Sequence, residues 1–390
     1  MTFTRKLRSA VPLLLGLGAL GLGCSQGEDP LELEPMPEVF KSFEKPRDHW
    51  VEEANKPPPE PPWTAEDDAL PDTLEGQREQ VLRKLKERMG VSPEAIEKLR
   101  EVFGHGRLGQ GNPKVTEHPM TRAECRKMRA AAETFPASEV CGDKHMVALY
   151  NPAKGEKETD AKVCIDQFEF PNIPCEYPLT WVQARQAQLI CKAIGKRMCD
   201  AHEWEGGCYG ELRPPEEEYA WTLDHDNMSG LHNFNNKKDG QIRWAYGTEK
   251  NHKLCATTGH KSNKCVASEY KFCGSNTFPA GAFPKCVSRL GVYDQHGNAA
   301  EHMSLPLKPE QLGSRGGIGW TEMKGSWFIF NSYEAHIDDC RWRAPDWHGS
   351  EVMELNSHAN YHLGFRCCKD IGGSPPVPGG SAPIPSGPKP

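Results

Sequence analysis

Fifteen cysteines and fifteen histidines in 390 residues are the side chains best able to do chemistry here. Thiolates act as nucleophiles, redox centres or soft-metal ligands, and paired thiols become crosslinks in oxidising surroundings. No Cys-x-x-Cys is matched by a second such pair or by His-x-x-x-His, so the spacing does not point to zinc. The histidines gather late: His336, His348, His358 and His362 lie near Asp338, Asp339 and Asp346 in sequence. His358 and His362 have i,i+4 spacing, yet Asn356 and Asn360 around them read as loop. Asp224-His225-Asp226 lacks the intervening residue of a His-x-Asp iron motif. These are read as loop histidines, with Glu334 and His336 as the candidate catalytic pair if a redox or metal-assisted activity exists.

The elements that must position such groups follow from composition. Arg5, Lys6 and Arg8 precede an apolar stretch, Val11 to Gly23, that is too short to span a membrane. It ends Leu20-Gly21-Leu22-Gly23-Cys24, similar to a bacterial lipoprotein signal. That resemblance implies a signal peptide over 1–23, an acylated Cys24 as membrane partner, and a lipid-anchored place in the bacterial cell envelope; a plain secretory signal is the alternative. Removing Cys24 leaves an even number of cysteines, which in an exported chain favours disulfides. Residues 24–72 are rich in Pro and acidic residues and read as a solvated tether. A helical hairpin and Gly-rich loop follow over 73–115, with Gly90 as C-cap and Ser92-Pro93-Glu94 opening the second helix. Its apolar stripe is expected to cover the main domain, a partner-binding face being the other reading. Residues 116–139 connect to the main domain, 140–370, and 371–390 form a Pro/Gly/Ser tail read as disordered. Within the domain, 181–191 reads as a helix with Thr180 as N-cap. A net charge of −7 argues against a nucleic-acid partner.

Five blocks occur in order: Gly195-Lys196-Arg197-Met198, Glu203-Trp204-Glu205, Gly291-Val292-Tyr293-Asp294-Gln295-His296-Gly297-Asn298, Lys324-Gly325-Ser326-Trp327 and Gly364-Phe365-Arg366-Cys367. Tyr219-Ala220-Trp221-Thr222 adds a weaker match. Together they resemble the formylglycine-generating (sulfatase-modifying factor) family. The resemblance implies an α+β fold, compact, loop-rich and C-type-lectin-like, stapled by disulfides. It implies that Cys191 pairs with Cys367 and Cys208 with Cys340, leaving ten cysteines whose pairing stays open. Cys367 and Cys368, adjacent in a strand, point opposite ways and are expected to take different partners. Active relatives bind Cu(I) through two cysteines; laid on this chain those positions fall on Ile329 and Glu334, so no copper is expected. A structural Ca²⁺ is implied at Asn298 and Glu301, with Asn233 in a second site; alternatively Asn298 makes a turn and Glu301 pairs with an arginine. Arg366 is expected to pair with Glu203 or Glu205.

The resulting expectation is a pseudoenzyme: an exported, membrane-anchored binding module for a protein, peptide or glycan. Trp320, Trp327, Trp342 and Trp347 are candidate groove residues. The alternative is an oxidoreductase using non-haem iron or another metal on an exported protein or small molecule.

Overall fold

Thr73 and Gly90 bracket the first long helix. The Thr73 hydroxyl accepts the Gly76 N–H, and Gly90 ends the helix at φ +73°, a left-handed cap that a Cβ would disfavour. The computed structural model describes residues 61–215, 242–266, 268–306, 319–342 and 350–372. The signal segment, Cys24, the tether as far as residue 60, Tyr219 to Thr222, Asp224 to Asp226, Asn233, Asp346, Trp347, His348 and the tail from 373 lie outside the described residues.

The tether ends earlier than its composition suggests. Thr64 and Asp67 form a capping box that starts α1 (Ala65–Asp68), and Asp67 is buried against Arg83 and Arg88. Local capping and buried ion pairs outweigh the Pro-rich, acidic bias there. Next come α2 (Leu74–Met89) and α3 (Pro93–Phe103), the latter capped by Ser92 with Pro93 in its first turn. Within 116–139, Thr121 and Glu124 cap α4 (Arg122–Ala130).

The α2 and α3 stripes, Val81, Leu82, Leu85, Ile96, Leu99 and Phe103, share one core with Ala187, Ile190 and Phe365. Each such side chain contributes about 1.5–3 kcal/mol on burial, so the hairpin covers the domain. A buried ionic cluster adds a polar tie: Glu176 accepts from Lys84 at 2.5 Å, Arg122 at 2.6 Å and Gln110 at 2.7 Å.

Two sheets carry the rest. The first has the order β1-β2-β7-β3, with β1 (Met146–Leu149), β2 (Val163–Asp166), β3 (Arg197–Met198) and β7 (Cys367–Asp370), and all neighbours antiparallel. In the second, β4 (Ala300–Leu305) lies between antiparallel β5 (Trp320–Lys324) and parallel β6 (Leu363–Phe365). The last segment therefore passes from one sheet to the other, with Arg366 at the crossing. Between the strands lie α5 (Ala184–Ala193) and α6 (Ala201–Tyr209). α5 begins three residues later than its pattern suggests, after Gln183. Thr180 does not cap it: its backbone pairs with Gly109 and its hydroxyl with Ser275, a tertiary demand that overrides the local one. The fold is α+β, with six α-helices and two sheets among the described residues.

Every cysteine among the described residues is crosslinked, in seven disulfides: 125–175, 141–164, 191–367, 199–368, 208–340, 255–286 and 265–273. Adjacent Cys367 and Cys368 point to opposite faces of their strand and so reach different partners, Cys191 in α5 and Cys199 just after β3. Such density belongs to an oxidising compartment. Among the described residues no helix is long and apolar enough to cross a membrane.

Candidate functional site

Arg366 organises the centre of the molecule. Its Nε and Nη2 grip Glu301 at 2.7 and 2.6 Å, and its remaining donors reach the carbonyls of Asp166, Gln167 and Tyr293. The expected partners are engaged elsewhere: Glu203 with Arg197 and Glu205 with Lys324. Register explains the correction. Arg366 follows Phe365, whose strand β6 runs beside β4, so the Glu301 side chain lies next to the guanidinium.

Asn298, at φ +53°, is equally committed. Its Oδ1 accepts the Phe278 N–H at 2.8 Å and its Nδ2 donates to Glu169 at 2.7 Å. Glu301 also accepts the Trp204 indole N–H at 3.0 Å. Three buried carboxyls, Glu169, Asp294 and Glu301, thus surround one guanidinium. Burial, then the neighbouring Asp294 and Glu301 charges, pushes the Glu169 carboxyl well above its usual range, and burial lifts Asp294 to about 6. Asn298 and Glu301 do not fit a calcium ion as placed, since an ion on Glu301 would sit against the Arg366 charge. The turn-plus-arginine alternative describes these side chains.

The segment after β5 starts at Gly325, where φ is +77° and a Cβ would lie 2.9 Å from the Gln295 carbonyl. Ser326 accepts the Gly297 N–H at 2.8 Å and donates to Asp338 at 2.6 Å, closing the segment into a loop. Asp338 also accepts from the Trp244 indole at 2.9 Å and faces His252 at 3.1 Å. Burial would raise its carboxyl, but hydrogen bonds from His252, His296 and Ser326 hold it far below the usual carboxylate range. His296 lies 3.3 Å from Cys208 Sγ and accepts the Ala245 N–H at 2.9 Å. Cys208 and Cys340 are bonded to each other, so neither offers a thiolate to a metal.

Within the loop, Trp327, Phe328, Ile329 and Phe330 are buried with Trp181 and Tyr361. His336 lies flat on Trp342, ring centres 3.5 Å apart, and burial lowers its pKa. Trp327 stacks on His362. Glu334 is exposed and bonds Lys250, whereas His336 contacts the Ile337 carbonyl. The two candidate catalytic residues thus take separate hydrogen-bond partners, although the Glu334 charge acts on His336. Trp320 lies at the start of β5, paired with Leu305 of β4.

The profile of the sulfatase-modifying factor enzyme 1-like domain matches residues 153–371, more than half of the chain. The chain belongs to that family. No curated protein matches it. Among solved structures, the crystal structure of CarF aligns at 12% identity over 62% of this chain and 95% of its own, with a TM-score of 0.31. The family domain begins at residue 153, so α2, α3 and α4 precede it; α2 and α3 pack onto it through the shared core, and α4 through Cys125 and Arg122.

Sequence reading missed the Asp338 network and the Glu169 contribution. His252, His296 and Asp338 are separated by dozens of residues and carry no spacing signature. Glu169 stands in an ordinary apolar run, and only its burial marks it.

Proposed function

We propose that this chain is an exported, Cys24-anchored member of the family that lacks the copper site and works as a binding module for a protein, peptide or glycan. The observation that carries this reading is the state of its sulfur: every cysteine in the described residues is crosslinked, and the 325–340 loop has Ile329 and Glu334 where the resemblance puts the relatives' thiols. Cu(I) needs soft ligands, and an isoleucine and a carboxylate supply none. On the same loop, Tyr333 is 61% exposed and Ile337 37%, large apolar groups that a buried face would otherwise take.

Three measurements test the reading on the mature chain. Mass spectrometry of the N-terminus should find a diacylated Cys24. Cu(I) titration should show no stoichiometric site, and a thiol-containing peptide should cause no oxygen uptake above blank. Peptide and glycan arrays should give hits that Tyr333→Ser abolishes while its melting temperature stays unchanged. Stoichiometric copper with oxygen uptake would sink the proposal.

A further inference from the structure

A pocket of about 150 Å³ lies where the N-terminal helices meet the family domain. Its walls include Trp63, Arg88 from the end of α2, Arg126 and Arg129 from α4, His145 and Pro174, with no carboxylate among its lining residues. Arg88 stacks on the Trp63 ring at 3.3 Å and Arg126 on the same ring at 4.6 Å.

Charge is not balanced around this pocket. Asp67 serves both Arg83 and Arg88, and Asp68 serves Arg126. Arg129 bonds the Gly281 carbonyl and lies over Phe168 and Tyr293; it makes no carboxylate ion pair among the described residues, Asp294 acting on it only at longer range. Arg83 also pairs with Glu87, so the three arginines that line the pocket have two ion-paired carboxylates, Asp67 and Asp68, and Asp67 is shared. Two donors also lack partners: Nε of Arg88, a residue only 4% exposed, and Nη1 of Arg126. An unpartnered buried guanidinium N–H costs free energy until an acceptor reaches it. Planar forks on converging arginines match the oxygens of an oxyanion.

The geometry points to a binding site for one small oxyanion of sulfate or phosphate type, held between Arg88, Arg126 and Arg129. Size supports the class. A volume near 150 Å³ takes one benzene-sized group, too little for a nucleotide or an oligosaccharide. Either inorganic ions or a sulfate or phosphate ester on a small group would present the same oxygens. An occupant there would tie α2 and α4 to the 170–175 turn, so binding should raise the melting temperature.

The test uses the full mature chain in sodium sulfate, phosphate, acetate and chloride at matched ionic strength. Thermal shift and calorimetry give the readout, and ³¹P line broadening provides a second one. Sulfate or phosphate should bind saturably, and Arg129→Gln and Arg126→Gln should each weaken binding roughly tenfold. Phenyl sulfate and phenyl phosphate arms separate an ester, which should bind tighter than the free ion if Trp63 stacks on it. Two results would overturn the proposal: a non-saturating shift that chloride reproduces, or unchanged affinity in both variants.

Discussion

Glu176→Gln is the perturbation that best tests how the N-terminal helices are held. The carboxylate is fully buried and bridges Lys84 of α2 to Arg122 of α4 while standing outside both helices. Burial alone would raise its pKa, but Arg122 and Lys84 hold it at about 2, against an ordinary 4.5. At about 1.4 kcal/mol per unit, that depression corresponds to about 3 kcal/mol of stability at neutral pH. Removing one member of a buried ion pair independently predicts about 3–5 kcal/mol, because two cations are left without a counter-charge. Glutamine keeps the shape and one acceptor, so packing loss is small. The sign follows from a folded pKa below the unfolded one: the contribution is complete above about 4.5 and fades as pH falls towards about 2. Urea unfolding of wild type and variant, disulfides intact, should therefore differ by about 3 kcal/mol at pH 7, and the gap should close through that acidic window. In a Lys84→Met background the substitution should cost markedly less, since one stranded cation is gone. A difference under about 0.5 kcal/mol at pH 7, or a gap that widens on acidification, would refute the reasoning.

Arg366→Met strands Glu301 among Glu169 and Asp294, and should lower stability by about 3–5 kcal/mol in the same assay. Replacing Cys191 and Cys367 together by alanine opens a 176-residue separation and should cost about 5 kcal/mol by chain entropy. The Cys265/Cys273 double alanine variant, with a separation of 8, should cost about half that; equal losses would contradict the loop-entropy account. Millimolar Ca²⁺ or its chelation should move the melting temperature by less than about 1 °C, because Asn298 and Glu301 already have protein partners; a saturable rise would show a site.

What could be read from the sequence was mostly local. Ser92-Pro93 and Gly90 mark helix ends through interactions within one turn, and the structure places those ends there. The Thr64-x-x-Asp67 box was equally visible, but the surrounding prolines drew the reading towards a tether. Thr180 shows the opposite failure, a sound capping residue taken by a strand-like pairing with Gly109. Long-range choices were hidden for a plain reason. Arg366 has several carboxylates it could meet, and only the parallel β4–β6 register selects Glu301, 65 residues away. The Lys84–Glu176 bond spans 92 residues and joins segments on either side of the family boundary at 153.

The 325–340 loop is held from both ends. Ser326 and Asp338 clamp its two ends at 2.6 Å, and the Cys208–Cys340 bond fixes the next turn to α6. Phe328 and Phe330 then fill its interior, leaving Tyr333 and Ile337 outward. A loop ordered in advance loses little further conformational entropy when a partner covers its tip, so modest apolar contact can yield useful affinity. Here the tip carries Tyr333, Glu334 and Ile337, and the sulfur nearest in sequence, Cys340, is buried in a crosslink. If the proposed binding role is carried by this tip, loosening the clamp with Asp338→Asn should weaken ligand affinity while Tyr333 and Ile337 stay exposed.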